Sequence, residues 1–269
     1  MEDRRYCDPL VVTDDGSTHK LTRIGLAKSL TDRLQCFAAV HDFAQLYTEY
    51  EWRRDKWGAG FPDILKLEMQ LTGSAKSNLV TSHDIVAVAE WANHRNIASI
   101  ECPDTLRLPV HSAAPRAPSV AAIHPAALAT QLRQATKGLG PTTLSKVLRF
   151  ADPSQLGAID TRIVRVVGLG DEGSKREDWL SLRVRNYRSR RYIPASQSAW
   201  PRDYSKWTSI LRFFAASLND SGVACPHPDG FVDNGLRVRG LWACADVEMA
   251  LFSWASSCVK QSESCCQAD

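Results

Sequence analysis

Apolar residues recur at three- and four-residue intervals over much of the chain, the period of an amphipathic helix. Over residues 31–52 they are Leu34, Phe37, Ala38, Phe43, Leu46, Tyr47 and Tyr50, which predicts one long helix. A shorter helix is expected over Asp63–Leu71, stopping at Gly73. Thr81-x-x-Asp84 has the form of a capping box, so a third helix is expected from Thr81 or Ser82 through Trp91. Pro103, Pro109, Pro115 and Pro118 punctuate residues 97–123, a long loop and the natural boundary between two parts of the chain. Beyond it, Pro125 suits the first turn of a helix over 125–135, and Pro141 can open another through Phe150, closed by Pro153. Further helices fit 203–218 and 240–257. Strands and helices do not alternate, and no repeat of 20–50 residues is visible. The expected class is all-α.

Composition narrows this picture only slightly. With 269 residues, 44% of them apolar and 23% charged, the chain has room for a proper core and is not disordered. No run reaches the ~18 apolar residues of a membrane span, so no membrane partner is expected. The opening MEDRRYCDPL lacks the apolar stretch of a secretory signal, and a cytoplasmic protein is expected. Eight cysteines stand at 7, 36, 102, 225, 244, 258, 265 and 266 without a CxxC pair. Neither a zinc-ligand spacing nor a disulfide framework is indicated. Cys36, Cys102 and Cys244 read as small buried apolar residues, and the tail QSESCCQAD as disordered.

The net charge of +3 is too small to name a partner, but its distribution is uneven. Residues 175–192 hold seven Lys or Arg and two Asp or Glu. That is the footprint expected of a polyanion-binding segment, although a solvated basic loop has the same composition. Within it, Arg183, Arg185, Arg188, Arg190 and Arg191 suit phosphate contacts. Trp179, Tyr187 and Tyr192 could add stacking on an unpaired strand.

The stretch 134–168, QATKGLGPTTLSKVLRFADPSQLGAIDTRIVRVVG, is the most informative. It reads as helix, glycine turn, helix, short connection, and an acidic residue opening another helix. Gly138-Leu139-Gly140 allows the backbone to approach a ligand closely. The unpaired amides at the start of the next helix suit a phosphate.

These residues resemble the helix-hairpin-helix of the DNA glycosylase superfamily that includes the endonuclease III-type enzymes. The match is dense over about 35 residues: the GxG hairpin, its helix, and an aspartate in Gly157-Ala158-Ile159-Asp160-Thr161-Arg162-Ile163-Val164-Arg165-Val166. The resemblance implies a two-lobed helical glycosylase fold. Residues 1–123 would supply a helical region ending in the Pro-rich loop. Residues 124–269 would supply the hairpin lobe, the basic segment and C-terminal helices, and the lobes can interleave. The implied partner is double-stranded DNA with one base extruded, bound by a monomer. Asp160 would be the catalytic carboxylate, stabilising an oxocarbenium-like sugar and activating water. Gly138, Leu139, Gly140, Thr143 and Arg162 would contact DNA.

Two departures qualify what is implied. Bifunctional members carry a lysine two residues after the second glycine, and that position here is Thr142, which cannot form a Schiff base. The resemblance therefore implies a monofunctional enzyme that leaves an abasic site. Lys146 lies one turn further on the same face and can reach the pocket, replace the missing lysine, or contact a phosphate. Cys258, Cys265 and Cys266 do not give the four-cysteine spacing of relatives that hold an iron–sulfur cluster, so no cofactor or metal is expected. Trp91, Trp242 and Trp254 are candidates for stacking on the extruded base. That base is either a damaged one, as in repair, or a bulky phage base such as glucosylated hydroxymethylcytosine, as in antiviral defence.

Other readings fit the same residues. Asp160 also suits a plain helix cap, and the cap and the catalytic role can coexist. The hairpin alone would suit a non-catalytic DNA-binding protein. Gly168-Leu169-Gly170-Asp171-Glu172-Gly173 fits a dinucleotide-binding turn if Ile163–Val167 is a strand, although KREDW lacks the pattern of a packed crossover helix.

Overall fold

The computed structural model describes residues 10–12, 18–20, 26–110, 124–169, 171–188 and 190–265. Part of the Pro-rich loop, Pro115 and Pro118 included, lies outside them, as do Cys7, Gly170 and Cys266. The chain begins with a hairpin, β1 (Leu10–Val12) and β2 (Thr18–Lys20). Helices α1 (Lys28–Val40) and α2 (Phe43–Thr48) follow, then the small hairpin β3 (Glu51–Trp52) and β4 (Asp55–Lys56). Next come α3 (Pro62–Ala75), β5 (Leu79–Thr81), α4 (Ser82–Trp91) and β6 (Thr105–Arg107), which pairs with β5. After the loop stand α5 (Pro125–Ala135), α6 (Pro141–Ala151) and α7 (Thr161–Val167). The hairpin β7 (Arg185–Tyr187) and β8 (Arg190–Tyr192) precedes α8 (Arg202–Asp220), α9 (Asp229–Asp233) and α10 (Cys244–Cys265). Every named strand sits in a two-stranded antiparallel ribbon, so the class is all-α. No described helix is long and apolar enough to cross a membrane.

The helix starts follow local chemistry. Thr81 Oγ1 accepts from Asp84 N at 3.1 Å while Asp84 Oδ2 accepts from Thr81 N at 2.9 Å, the reciprocal box expected from the sequence. Pro125 and Pro141 occupy the first turns of α5 and α6. The single helix expected over 31–52 is instead two. His41 is extended, and the Asp42 side chain accepts from Gln45 N at 3.0 Å to begin α2. A short carboxylate competes better as a cap than as a mid-helix residue. The break lets Phe43 pack 5.1 Å from Phe214 and 6.1 Å from Trp242, ring centre to ring centre.

The C-terminal tail also departs from expectation, because α10 continues through Gln261–Ser264. Its end is tied down: Glu263 Oε1 accepts from Arg165 Nη1 at 3.0 Å and from Arg191 Nη1 at 2.7 Å, and Ser262 Oγ lies 2.7 Å from Ser174 Oγ. Cys36 is exposed and Cys102 half-buried, whereas Cys244 is buried as expected.

Residues on both sides of the Pro-rich loop share one core. It runs from Leu34, Phe43 and Ile64 through Val147 and Phe150 to Phe214 and Val247. α10 packs on α2, α7 and α8, and α3 and α4 both pack on α6. The chain before residue 124 and the chain after it are thus interlocked, and the site is built where they meet.

Candidate functional site

The turn between α5 and α6 is fastened to the segment after α4. Gly138 has φ +80°, and a Cβ there would stand 2.7 Å from Ser99 O, so any side chain at this position is strained. His94 Nε2 lies 3.0 Å from Gly138 O, and Lys137 pairs with Glu101 at 2.6 Å. Gly140 differs. Its backbone is extended (φ −94°, ψ 171°), and no other part of the described chain comes within 4 Å of a Cβ built there. Folding places no demand for glycine at this position, and the space beside it is open. Pro141 has no N–H and Thr143 N donates to Gly140 O at 3.1 Å, so Thr142 N is the first-turn amide left available to a ligand. Leu139 packs, partly buried, against the core.

α6 then delivers Ser145, whose hydroxyl accepts from Ile159 N at 3.0 Å, while Trp207 Nε1 donates to Ala158 O at 2.8 Å. These bonds hold the segment that ends in Asp160. Asp160 is 8% exposed and caps α7, its Oδ1 accepting from Arg162 N at 3.0 Å. Its Oδ2 lies 3.7 Å from Lys146 Nζ. One carboxylate oxygen is thus spent on the helix and the other faces a cation.

Asp160 and Lys146 line a small pocket with an empty volume of about 320 Å³, the open mouth included. Its aromatic walls are Tyr50, Trp52, Trp91 and Phe252, and Arg149 and Glu248 complete the charged lining. Lys146 Nζ lies 5.0 Å from the Trp52 ring centre and 5.2 Å from that of Trp91. The Arg162 guanidinium lies 5.5 Å from Trp52 and 5.0 Å from Phe252. Cations therefore already cover aromatic faces at the site. Trp91 is oriented by Asp55, whose Oδ2 accepts from its Nε1 at 2.7 Å. Burial raises the Asp55 carboxyl, opposed by that bond and by two backbone amides. Burial also holds the Tyr50 phenol well above its ordinary range, so it stays neutral. Glu248, 6% exposed, is pushed up to about 7 by burial, with Arg149 and Lys146 opposing.

Beneath the pocket runs a cluster of buried ions. Arg237 Nε donates to both Asp246 oxygens at 2.9 and 3.0 Å, and its Nη1 and Nη2 donate to Glu68 at 2.7 and 3.1 Å. Arg149 Nη1 stands 2.7 Å from Glu68 Oε1, close but off the line of a hydrogen bond. His227 Nε2 lies 3.1 Å from Asp246 Oδ2. Burial alone would raise the Asp246 carboxyl, but Arg237 and His227 hold it well below its ordinary range. Cys225, His227 and Asp246 bring ligand atoms within 4.8 Å of one another. A metal there would have to compete with a guanidinium already bound to the same carboxylate.

Of the residues singled out in the sequence, Asp160, Lys146 and Trp91 converge on the pocket, with Arg162 stacked on two of its walls. Thr142 is half-buried and absent from the lining, its carbonyl accepting from Ser145 Oγ at 3.0 Å. Thr143 is buried, which removes its side chain from contact with DNA. Trp242 is a core residue whose Nε1 donates to Val223 O at 2.8 Å. Trp254 packs 4.8 Å from Phe37 and stacks on Trp179. Neither belongs to the pocket, because ring burial against neighbouring helices claims them both. Trp179 is likewise a core residue, fully buried, and does not serve stacking on a strand. Arg183, Arg185, Arg188 and Arg191 are exposed and Arg190 half-exposed on or beside the β7–β8 hairpin, with Tyr187 and Tyr192 exposed among them. Arg191 is partly engaged by Glu263. The dinucleotide alternative loses its strand, since Ile163–Val167 lies within α7.

Sequence reasoning missed Tyr50, Trp52, Phe252, Arg149 and Glu248. Only Glu248 left a usable mark, an acid inside the apolar run Val247–Phe252 of a helix. No family model, curated protein or solved structure matches the chain.

Proposed function

We propose that the protein is a monofunctional DNA glycosylase that extrudes a damaged or modified base and hydrolyses its N-glycosidic bond. The fold would be the two-lobed glycosylase type with the pocket in its cleft. One observation carries the reading: a carboxylate fixed by its own helix start, Asp160, faces an aromatic-walled pocket that begins one helix away from a glycine turn. A plain capping aspartate needs no pocket, and a pure DNA-binding hairpin needs no carboxylate.

The chemistry follows from the lining. Tyr50 offers flat apolar surface to an extruded ring, while Lys146 and Arg162 lie over faces of Trp52, Trp91 and Phe252. As the glycosidic bond breaks, Asp160 Oδ2 faces the developing sugar cation and accepts a proton from the attacking water. Its Oδ1 stays on Arg162 N, which keeps the carboxylate from turning away. Lys146 serves as the counter-ion of Asp160 and as part of the pocket wall. The α5–α6 turn would take the phosphate beside the target nucleotide. The β7–β8 arginines would take more distant phosphates and confer affinity without sequence preference.

The test is a panel of duplex DNAs, undamaged, carrying damaged bases, and carrying glucosylated hydroxymethylcytosine, scored for alkali-labile abasic sites. Sites on one of the altered DNAs are expected. Sites on none of them contradict the reading. Borohydride trapping decides the monofunctional part: no covalent adduct is expected, and an adduct lost in Lys146→Ala would make the enzyme a lyase.

A further inference from the structure

We propose that Glu248 donates a proton to the departing base and that the pocket selects neutral bases over cationic, alkylated ones. The proposal rests on the glycosylase reading and adds the acid and the substrate class to it. Glu248 and Asp160 reach the same pocket from different elements, the second turn of α10 and the start of α7. Gly157 permits this approach: a Cβ there would stand 3.2 Å from Glu248 Cβ and would collide with Leu211.

The charges around Glu248 leave it poorly paired. From α6, Arg149 Nε stands 3.7 Å from Glu248 Oε2, while the same guanidinium sits 2.7 Å from Glu68 of α3. Lys146, also on α6, is turned to Asp160 and two tryptophan faces. Asp160 and Glu68 add negative charge that opposes ionisation of Glu248. Tyr50, and Tyr204 of α8, are the neutral phenols within its electrostatic reach. The carboxyl is pushed up to about 7, so at neutral pH a large fraction of it carries a proton. The pocket therefore sets a protonatable carboxyl, Glu248, beside Asp160, whose oxygens are held by Arg162 N and Lys146, which suits Glu248 to give a proton and Asp160 to face a cation.

The substrate class follows from the cations. Lys146 and Arg162 already occupy faces of Trp52, Trp91 and Phe252. A base carrying its own positive charge would meet both at close range, and it leaves without needing a proton. A neutral base, either a purine or a cytosine-type pyrimidine, is the one that needs acid help. The Glu248 proton passes to a ring nitrogen or carbonyl oxygen of the base. The electron pair of the C1′–N bond leaves with the base, and the sugar cation is left against Asp160. Water adds to C1′ and gives up a proton, and Glu248 is reprotonated from solvent.

The experiment is single-turnover base release by the full chain across about pH 5.5 to 9. It uses the neutral-base DNA cut best in the panel, with 7-methylguanine DNA in parallel. The wild-type rate is expected to fall about tenfold per unit above neutrality, and Glu248→Gln to lose roughly 10²-fold and that pH limb with it. 7-Methylguanine is expected to leave at the background rate. An unchanged rate and profile in Glu248→Gln, with Asp160→Asn still inactive, overturns the acid and leaves the glycosylase reading intact. Efficient 7-methylguanine release overturns the substrate class. No release from any DNA overturns both this proposal and the reading beneath it. A carboxyl-labelled NMR titration of wild type covers the case of a misfolded variant: one glutamate titrating near neutrality is expected, and none above about pH 6 overturns the acid.

Discussion

Two groups of buried charges lie side by side in this protein and are built differently. The cluster of Glu68, Arg149, Arg237, Asp246 and His227 is tightly paired, with separations of 2.7–3.1 Å. Lys146, Asp160 and Glu248 are loosely paired, at 3.7 Å, and they line open space. Arg149 belongs to both and gives its closer contact to the cluster. A buried ion is costly unless it is well paired, so the loose group is tolerated for some purpose other than stability. The tight group ties α3 and α6 to α10 and so fixes the helix that carries Glu248. The comparison separates a part that holds the fold from a part that is available for chemistry.

The sharpest way to break this division is to remove a partner from the tight group. Arg237→Ala should cost about 3–5 kcal/mol, because buried Glu68 then keeps only Arg149, and buried Asp246 only His227 and the Ala243 amide. Denaturant unfolding checks it, and a loss under about 1 kcal/mol contradicts the structural role. The loose group should respond in the opposite sense. The folded state raises Glu248 from its ordinary 4.5 to about 7, so folding binds its proton more tightly and this stabilisation fades as pH rises between those values. Glu248→Gln should therefore be stabilising at about pH 8, by on the order of 3 kcal/mol at most, and nearly neutral near pH 4. Melting curves at the two pH values decide, and a destabilised variant at alkaline pH would place Glu248 with the tight group.

The two glycines of the α5–α6 turn sharpen the same contrast on a smaller scale. Gly138→Ala should lose about 1–3 kcal/mol of stability, through the left-handed backbone and the contact with Ser99. Gly140→Ala should stay within about 0.5 kcal/mol in stability yet weaken DNA binding about tenfold, the worth of one hydrogen bond to a phosphate. Equal DNA affinity in Gly140→Ala and wild type would mean that nothing approaches there. The smallest effect is expected at the hairpin. Replacing Arg183, Arg185 and Arg188 together should lower the slope of log affinity against log salt by about 3, without changing stability. An unchanged slope removes the hairpin from the interface.

Much of this was legible in the sequence where the determinant is local. The Thr81–Asp84 box, Pro125 and Pro141 gave their helix starts within a residue, and Gly138, Gly140 and Asp160 marked the turn and the cap. What was not legible depends on distant partners. α10 extends to Cys265 because Arg165 and Arg191 hold Glu263, 98 and 72 residues away. Nothing near Asp42 indicates that a cap there would outweigh the helical period of 31–52. The pocket walls come from the connection after α2, the end of α4, the β3 strand, and α10, so their aromatic residues look like ordinary core residues along the chain. Trp91, Trp242 and Trp254 share one residue type and similar surroundings in sequence. Only the tertiary packing sends the first to the pocket and the other two to the core.

The central claim is that Asp160 acts on a sugar while also capping α7. Asparagine caps a helix about as well as aspartate but carries no charge. Base release by Asp160→Asn, measured beside wild type on the best-cut DNA, is the direct test. The account predicts a folded variant whose melting temperature falls only by what Lys146 loses with its counter-ion, and a loss of activity of at least roughly 10²–10³-fold. Full activity in a well-folded Asp160→Asn variant would contradict it.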